Sequence, residues 1–174
     1  VNLISDITKI KNLEPDPELY AGGISRMDKG DFLNPHIDNS HDKFRKKYRR
    51  LNLLYYISPN WQDANGGNLE LWDKSVLEST QILSKFNRLV VMNTDKESWH
   101  SVNKVMIKKE RLCVSNYYFS KSSPSDKDYY HVTSFMGRPE QKILRGYSVV
   151  DNLLRQAVAK IFKISRGKNL SRNG

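Results

Sequence analysis

The sequence predicts a mainly β domain of sandwich or jelly-roll type with a helix near its C-terminal end. Three observations predict it. Short runs of strand-forming residues recur at close spacing between residues 22 and 120, with turn residues between them. Clear helical periodicity begins only after Pro124. No repeat or low-complexity stretch interrupts the 174 residues, a length that fits one domain with a real core.

Each element follows from its residues. Positions 1–20 are polar with scattered Leu and Ile, and Glu14-Pro15-Asp16-Pro17 ends any helix there. Residues 22–35 read as a short strand and turn leading to His36. The run from Leu51 to Ile57 carries apolar residues on both faces, as in a sheet covered on each side. Ser58-Pro59-Asn60 and Asn65-Gly66-Gly67 are turn signals, and Leu69 to Trp72 is a strand beyond them. Arg88 to Asn93, Trp99 to Asn103 and Arg111 to Phe119 each read as further strands.

Near the C-terminal end, Ser148 reads as an N-cap with Asp151 three residues on. Val150, Leu153, Leu154, Ala157, Val158, Ile161 and Phe162 then recur at helical spacing. The expected helix is Val149 to Lys163, its apolar face packed against the β core, with a partner-binding helix as the alternative. The chain is read as one domain over residues 1–174, with a core of about 22–120 and a helical extension of about 139–165.

Composition narrows the class. A hydrophobic fraction of 38% and a charged fraction of 28% suit a soluble globular protein. No apolar run approaches a membrane span and no basic-then-apolar leader opens the chain, so no membrane partner is expected. Cys113 is the single cysteine, which excludes an intramolecular disulfide and suits a reducing cytoplasm. Its setting between Leu112 and Val114 reads as packing, not as a nucleophile. The chain begins with Val1 rather than Met, which leaves room for residues upstream. The net charge of +10 is uneven: residues 1–100 hold 14 Lys/Arg and 14 Asp/Glu, whereas residues 101–174 hold 15 and 5. Such a basic half suits a solvated face or an attraction to nucleic acid and acidic partners.

The chemistry-bearing residues are His36, Asp38, His100 and Arg111. A spacing of two puts His36 and Asp38 on one side of an extended segment. His100, in a distant strand, supplies a third ligand of the type that iron(II) takes. Two imidazoles and a carboxylate leave three positions open, whereas thiolates would attract zinc. Arg111 opens a strand, and a buried guanidinium there requires an anion. Parity along that strand puts Tyr117 on the face of Arg111 unless a bulge intervenes. Lys43, Arg45, Lys46, Lys47, Arg49 and Arg50 place six cations within eight residues just after the first two ligands. They read as a solvated loop or as a recruiting patch for an acidic peptide, a carboxylate or a phosphate. His41 reads as a loop residue, Trp61 and Trp72 as core anchors, and His131 has no role that the sequence assigns.

Several segments in order resemble one family. Gly30-Asp31-Phe32 leads to Pro35-His36-Ile37-Asp38, then Leu51 to Ile57, Trp61, and Gly66-Gly67-Asn68-Leu69-Glu70-Leu71-Trp72. Trp99-His100-Ser101-Val102 and Arg111 to Phe119 follow. Over residues 22–120 the chain looks like the prolyl-hydroxylase branch of the 2-oxoglutarate- and iron(II)-dependent oxygenases. That resemblance implies a double-stranded β-helix with His36, Asp38 and His100 as iron ligands. It implies that Arg111 grips the distal carboxylate of 2-oxoglutarate, with the Tyr56 hydroxyl on the same carboxylate and Leu69 lining the pocket. One departure is Met27, where many relatives carry a tyrosine nine residues before the first histidine.

The implied reaction couples decarboxylation of 2-oxoglutarate with O2, yielding succinate and CO2, to hydroxylation of a C–H bond. Ascorbate is the implied reductant. Retention of Asp38 implies hydroxylation rather than halogenation, since halogenating relatives lack that carboxylate. The substrate implied is a prolyl residue, another peptide side chain, a free amino acid or a small molecule, with Arg49 and Tyr117 as substrate-side candidates. A nucleic-acid dealkylating oxygenase is the second reading. Its relatives carry an arginine six residues after the co-substrate arginine, where this chain has Tyr117. A non-catalytic jelly-roll binding module is the third. Oligomeric state is not encoded in any motif.

Overall fold

The structure, a computed structural model, describes residues 1–20, 22–125 and 128–162. Ten strands form two antiparallel sheets. In chain order they are β1 Glu14–Pro15, β2 Gly23–Met27, β3 Leu33–Ile37, β4 Tyr48–Tyr56 and β5 Leu69–Trp72. Then come β6 Ser79–Ile82, β7 Arg88–Asn93, β8 His100–Val102, β9 Arg111–Ser120 and β10 Ser134–Phe135. Helix α1 spans Asn2–Thr8 and helix α2 spans Lys142–Phe162. The first sheet runs β1-β9-β4-β7, with β2 also on β9; the second runs β10-β3-β8-β5-β6. Two facing sheets of this kind are a jelly roll.

Side-chain alternation divides the first sheet into two faces. Leu51 and Leu53 of β4 pack with Tyr118 of β9 and Val91 of β7 against Ile4, Ile10 and Leu13 of the N-terminal segment. Full burial of such a leucine contributes about 2 kcal/mol. The opposite face carries Asn52 and Tyr56 from β4, and their β9 partners Tyr117 and Cys113 lie on the same side. This is why the strand reads as apolar on both faces: one face meets the N-terminal cover, the other lines the interior.

A bulge decides where Arg49 points. Arg49 pairs with Phe119 and Leu51 with Tyr118, so Arg50 is the extra residue. The bulge moves Arg49 onto the interior face of Asn52, which strict alternation forbids. β9 itself carries no bulge, and Arg111 and Tyr117 share its interior side.

The segment after Pro124 is joined to the second sheet by polar contacts. Arg138 forms a bidentate pair with the nearly buried Glu70, at 3.2 and 2.7 Å. Ser101 donates to the same carboxylate, and Trp72 Nε1 donates to Ser101 Oγ at 2.8 Å.

Helix α2 departs from expectation in two ways. It begins at Lys142 instead of Val149, and Ser148 lies inside it, donating to Leu144 O at 2.6 Å rather than capping. Its apolar side chains are also not packed on the β core: Ile143, Tyr147, Val150 and Leu154 all face outward. The expected end at Lys163, and residues 163–165 of the extension, lie outside the described residues. Strands β1, β6 and β10 and helix α1 have no counterpart in the sequence reading, being short or polar.

Candidate active site

The second sheet brings three ligand types together. His36 of β3 lies opposite His100 of β8, and their ring centroids are 4.1 Å apart. Asp38 follows β3 directly. One ligand atom from each of His36, Asp38 and His100 falls within 4.8 Å of the others. Both imidazoles are fixed in the same way: His36 Nδ1 lies 3.0 Å from Asn34 O, and His100 Nδ1 lies 3.0 Å from Ser98 O. A carbonyl accepts only, so each Nδ1 carries a proton and each Nε2 is left as the nitrogen available to a metal.

Electrostatics suit a cation. Burial, then the neighbouring His100, lowers the His36 pKa to about 4, which keeps the ring neutral near neutrality. Burial works against ionisation of Asp38, but Arg49 foremost, with His100 and His36, holds its carboxyl below the usual range. Two imidazoles with an ionised carboxylate are the donor set that iron(II) takes. The residues present therefore fit the metal.

On the interior face of the first sheet, at the head of β9, lies Arg111. It is buried and donates from Nε to Gly67 O at 2.7 Å, with Ser84 Oγ 3.4 Å from Nη2. Gly67 sits at φ +66°, and a Cβ there would lie 3.2 Å from the Arg111 side chain, so any other residue would be strained and would crowd that arginine. Among the described residues, no carboxylate pairs with Arg111. The Tyr56 ring lies 5.0 Å from its guanidinium, and the buried Tyr56 hydroxyl has no hydrogen-bond partner although Ser84 and Arg111 are its neighbours. Burial pushes that phenol up to about 12, so it remains a donor. A buried guanidinium and an orphaned hydroxyl side by side form a cradle for one more anion. Met27 occupies the flank, its Sδ 3.8 Å from Arg111 Nη1. Leu69 is buried in β5 opposite Val102.

Arg49 and Tyr117 lie at the triad. Arg49 Nη1 is 3.3 Å from Asp38 Oδ2, and its guanidinium stacks 3.8 Å above the Tyr117 ring. Of the basic run, Arg49 alone is buried in the site, and the other cations lie at or near the surface. Lys43 pairs with Glu18, Lys47 with Glu14 and Arg49 with Asp38, while Arg50 donates to Ser122 O and Arg45 stacks on Tyr130. Folding back onto the body pairs Lys43 and Lys47 at the surface and buries Arg49.

Three contributors escaped the sequence reading. Asn52 Nδ2 lies 3.4 Å from Asp38 Oδ2; a polar amide between Leu51 and Leu53 is the signal that could have found it. His131 donates from Nε2 to Asp38 O at 2.5 Å and exchanges two bonds with Ser40. Phe135 stacks on His36, centroids 5.3 Å apart. The last two come from a segment about a hundred residues away, which no local pattern links to His36. His41 lies in the connection between β3 and β4, as expected, buried against Tyr48, and is not part of the triad. Trp61 and Trp72 anchor the core through Gly66 O and Ser101 Oγ.

The model of the 2OG-Fe(II) oxygenase superfamily matches residues 22–119. Prolyl 3-hydroxylase OGFOD1 of Mus musculus is 27% identical over 90 residues, which is 47% of this chain and 16% of that protein. A viral collagen prolyl hydroxylase from Paramecium Bursaria Chlorella virus-1 is similar in structure, with TM-score 0.51, 18% identity and 68% of each chain covered. A prolyl 4-hydroxylase from Phytophthora capsici superposes with TM-score 0.52 and 17% identity over 92% of this chain and 50% of that one. These structural likenesses are of fold. The chain thus spans a small part of the mouse relative and half to two thirds of the solved ones.

Proposed function

The chain belongs to the 2OG-Fe(II) oxygenase superfamily, and from that premise we propose that it hydroxylates a C–H bond of a prolyl or other amino-acid or peptide substrate, converting 2-oxoglutarate and O2 to succinate and CO2. The observation that carries this reading is the triad: three donors of the right type within 4.8 Å, both imidazoles presenting Nε2. The mouse, viral and Phytophthora relatives are all prolyl hydroxylases, which supports the substrate class.

Each residue then has a task. His36, Asp38 and His100 hold the iron, which when bound supplies O2 activation. Arg111 and Tyr56 receive the distal carboxylate of 2-oxoglutarate, the guanidinium by charge and the phenol as a donor. Met27 and Leu69 close the apolar side of that cradle. Arg49 restrains Asp38 through their ion pair and, with Tyr117, forms the substrate-side wall. Asn52 and His131 hold the carboxylate and the backbone of Asp38. Ascorbate serves as reductant. The nucleic-acid reading loses support at Tyr117, which lies beneath Arg49 where dealkylating relatives carry an arginine.

The test is succinate release from 2-oxoglutarate by purified protein with iron(II) and ascorbate, followed by a search for addition of one oxygen across prolyl peptides, free amino acids and alkylated oligonucleotides. His100→Ala should abolish succinate release. Absence of both turnover and metal-dependent 2-oxoglutarate binding in the unaltered protein would leave only the binding module.

A further inference from the structure

Helix α2 is mounted inside out. At 3.6 residues per turn, Arg145, Ser148, Asn152 and Gln156 fall on one face. That polar face is the attached one. Arg145 donates to Val76 O, Gly137 O and Ser75 O at 2.9–3.1 Å. Asn152 exchanges two bonds with the backbone of Phe135, at 2.7 and 3.2 Å, and Gln156 donates to Ser134 Oγ at 3.0 Å. The opposite stripe of Ile143, Tyr147, Val150 and Leu154 is apolar and 91%, 67%, 57% and 62% exposed. An amphipathic helix normally buries its apolar stripe on its own domain. Here the domain holds the polar one, and Leu144 and Leu153 widen the exposed arc.

We propose that α2 is a surface-binding helix that lays this outward apolar face on an anionic lipid bilayer. Three arguments select that occupant. The first is shape. The domain holds the polar face of α2 from Arg145 to Gln156, so the apolar stripe is open on its outer side alone, where a planar surface reaches it directly. The second is area. A helix of this length presents a stripe of about 30 by 10 Å, or roughly 300 Å². A stable pair of identical subunits needs about 800 Å² from each.

The third argument is charge. Residues 101–174 hold 15 Lys/Arg against 5 Asp/Glu. The twelve positions after Phe162 include Lys163, Arg166, Lys168 and Arg172 and no carboxylate. A second copy with the same excess of +10 is repelled, whereas an anionic headgroup layer is attracted. An exposed apolar stripe beside a basic sequence is the pattern of a helix lying in the headgroup boundary. The expectation of no membrane partner rested on the lack of a spanning apolar run and of a leader, and neither bears on a helix that lies along a bilayer surface.

The test is co-sedimentation of the full chain with vesicles of phosphatidylcholine containing about a third phosphatidylglycerol, against vesicles of phosphatidylcholine alone. Binding to the anionic vesicles, weakened by added salt, is expected. The double variant Val150→Gln/Leu154→Gln should lower the partition coefficient by about tenfold or more. The exposed variant Ile143→Asn should lower it as well, with melting temperature and metal affinity unchanged in both. Absence of vesicle binding, or equal binding by the double variant, overturns the proposal. Self-association that the double variant abolishes, without vesicle binding, also overturns it and assigns the stripe to a second copy. None of these readouts involves 2-oxoglutarate, so the proposal and the assigned reaction fail separately.

Discussion

Tyr56→Phe separates the co-substrate cradle from the fold. The Tyr56 hydroxyl is buried and makes no hydrogen bond of good geometry, with Ser84 and Arg111 as its polar neighbours, so its removal breaks little within the protein. A buried polar atom left unsatisfied costs about 1–3 kcal/mol. The variant should therefore be as stable as the parent, or more stable by about 1 kcal/mol. In the bound state the same hydroxyl meets a carboxylate, and a hydrogen bond to a charged group contributes about 1.5–3 kcal/mol. At about 1.4 kcal/mol per tenfold, the Kd for 2-oxoglutarate should rise by roughly 10- to 150-fold. Burial holds the phenol at about 12, so this loss should be constant through neutral pH. Calorimetric titration of 2-oxoglutarate into protein loaded with manganese(II), excluding turnover, measures the affinity, and melting of the metal-free protein measures stability. A variant that melts well below the parent and binds 2-oxoglutarate with parental affinity would refute the reasoning and make Tyr56 a packing residue.

Three further predictions concern the frame of the site. Metal-free protein should lose stability as pH falls from about 6.5 toward 4. The folded His36 pKa of about 4 lies below its unfolded value, so the unfolded chain binds more protons in that window. The loss is on the order of 3 kcal/mol, read from denaturant midpoints, and His36→Gln should flatten it. Arg138→Met strands the Glu70 carboxylate and should cost about 3–5 kcal/mol. In a denaturant series the double variant Arg138→Met/Glu70→Gln should recover part of this, and strict additivity would count against a coupled pair. His131→Ala frees the Asp38 carbonyl and should weaken manganese(II) affinity by about 10- to 100-fold. His131→Gln, which keeps a donor, should restore part of it, and parental affinity in the alanine variant would remove His131 from the site.

The inside-out helix changes how the C-terminal region is understood. Periodicity detects an apolar stripe but carries no information about which face the domain binds. Arg145, Asn152 and Gln156 attach through backbone carbonyls and a serine of distant segments, contacts that no sequence period encodes. The start at Lys142 is missed for a related reason. Ser148 is a good cap by residue type, but its hydroxyl is satisfied inside a helix already under way. The basic run after Asp38 misleads in the same manner, because the glutamates and carbonyls that take up its charge lie more than twenty residues away.

The order of strands, the His36-x-Asp38 pair with His100 downstream, and Arg111 at the head of a long strand are all legible in the chain. They are local: alternation, turn residues and ligand spacing are written in neighbouring positions. Tertiary structure alone decides that β3 and β8 set the two histidines face to face, and that a bulge at Arg50 turns Arg49 onto Asp38. It also decides that His131 and Phe135 reach the triad and that α2 turns its apolar side outward. These depend on register and long-range contact, where one extra residue reverses a side chain and where the partner of a polar group is set by packing rather than by its neighbours in sequence.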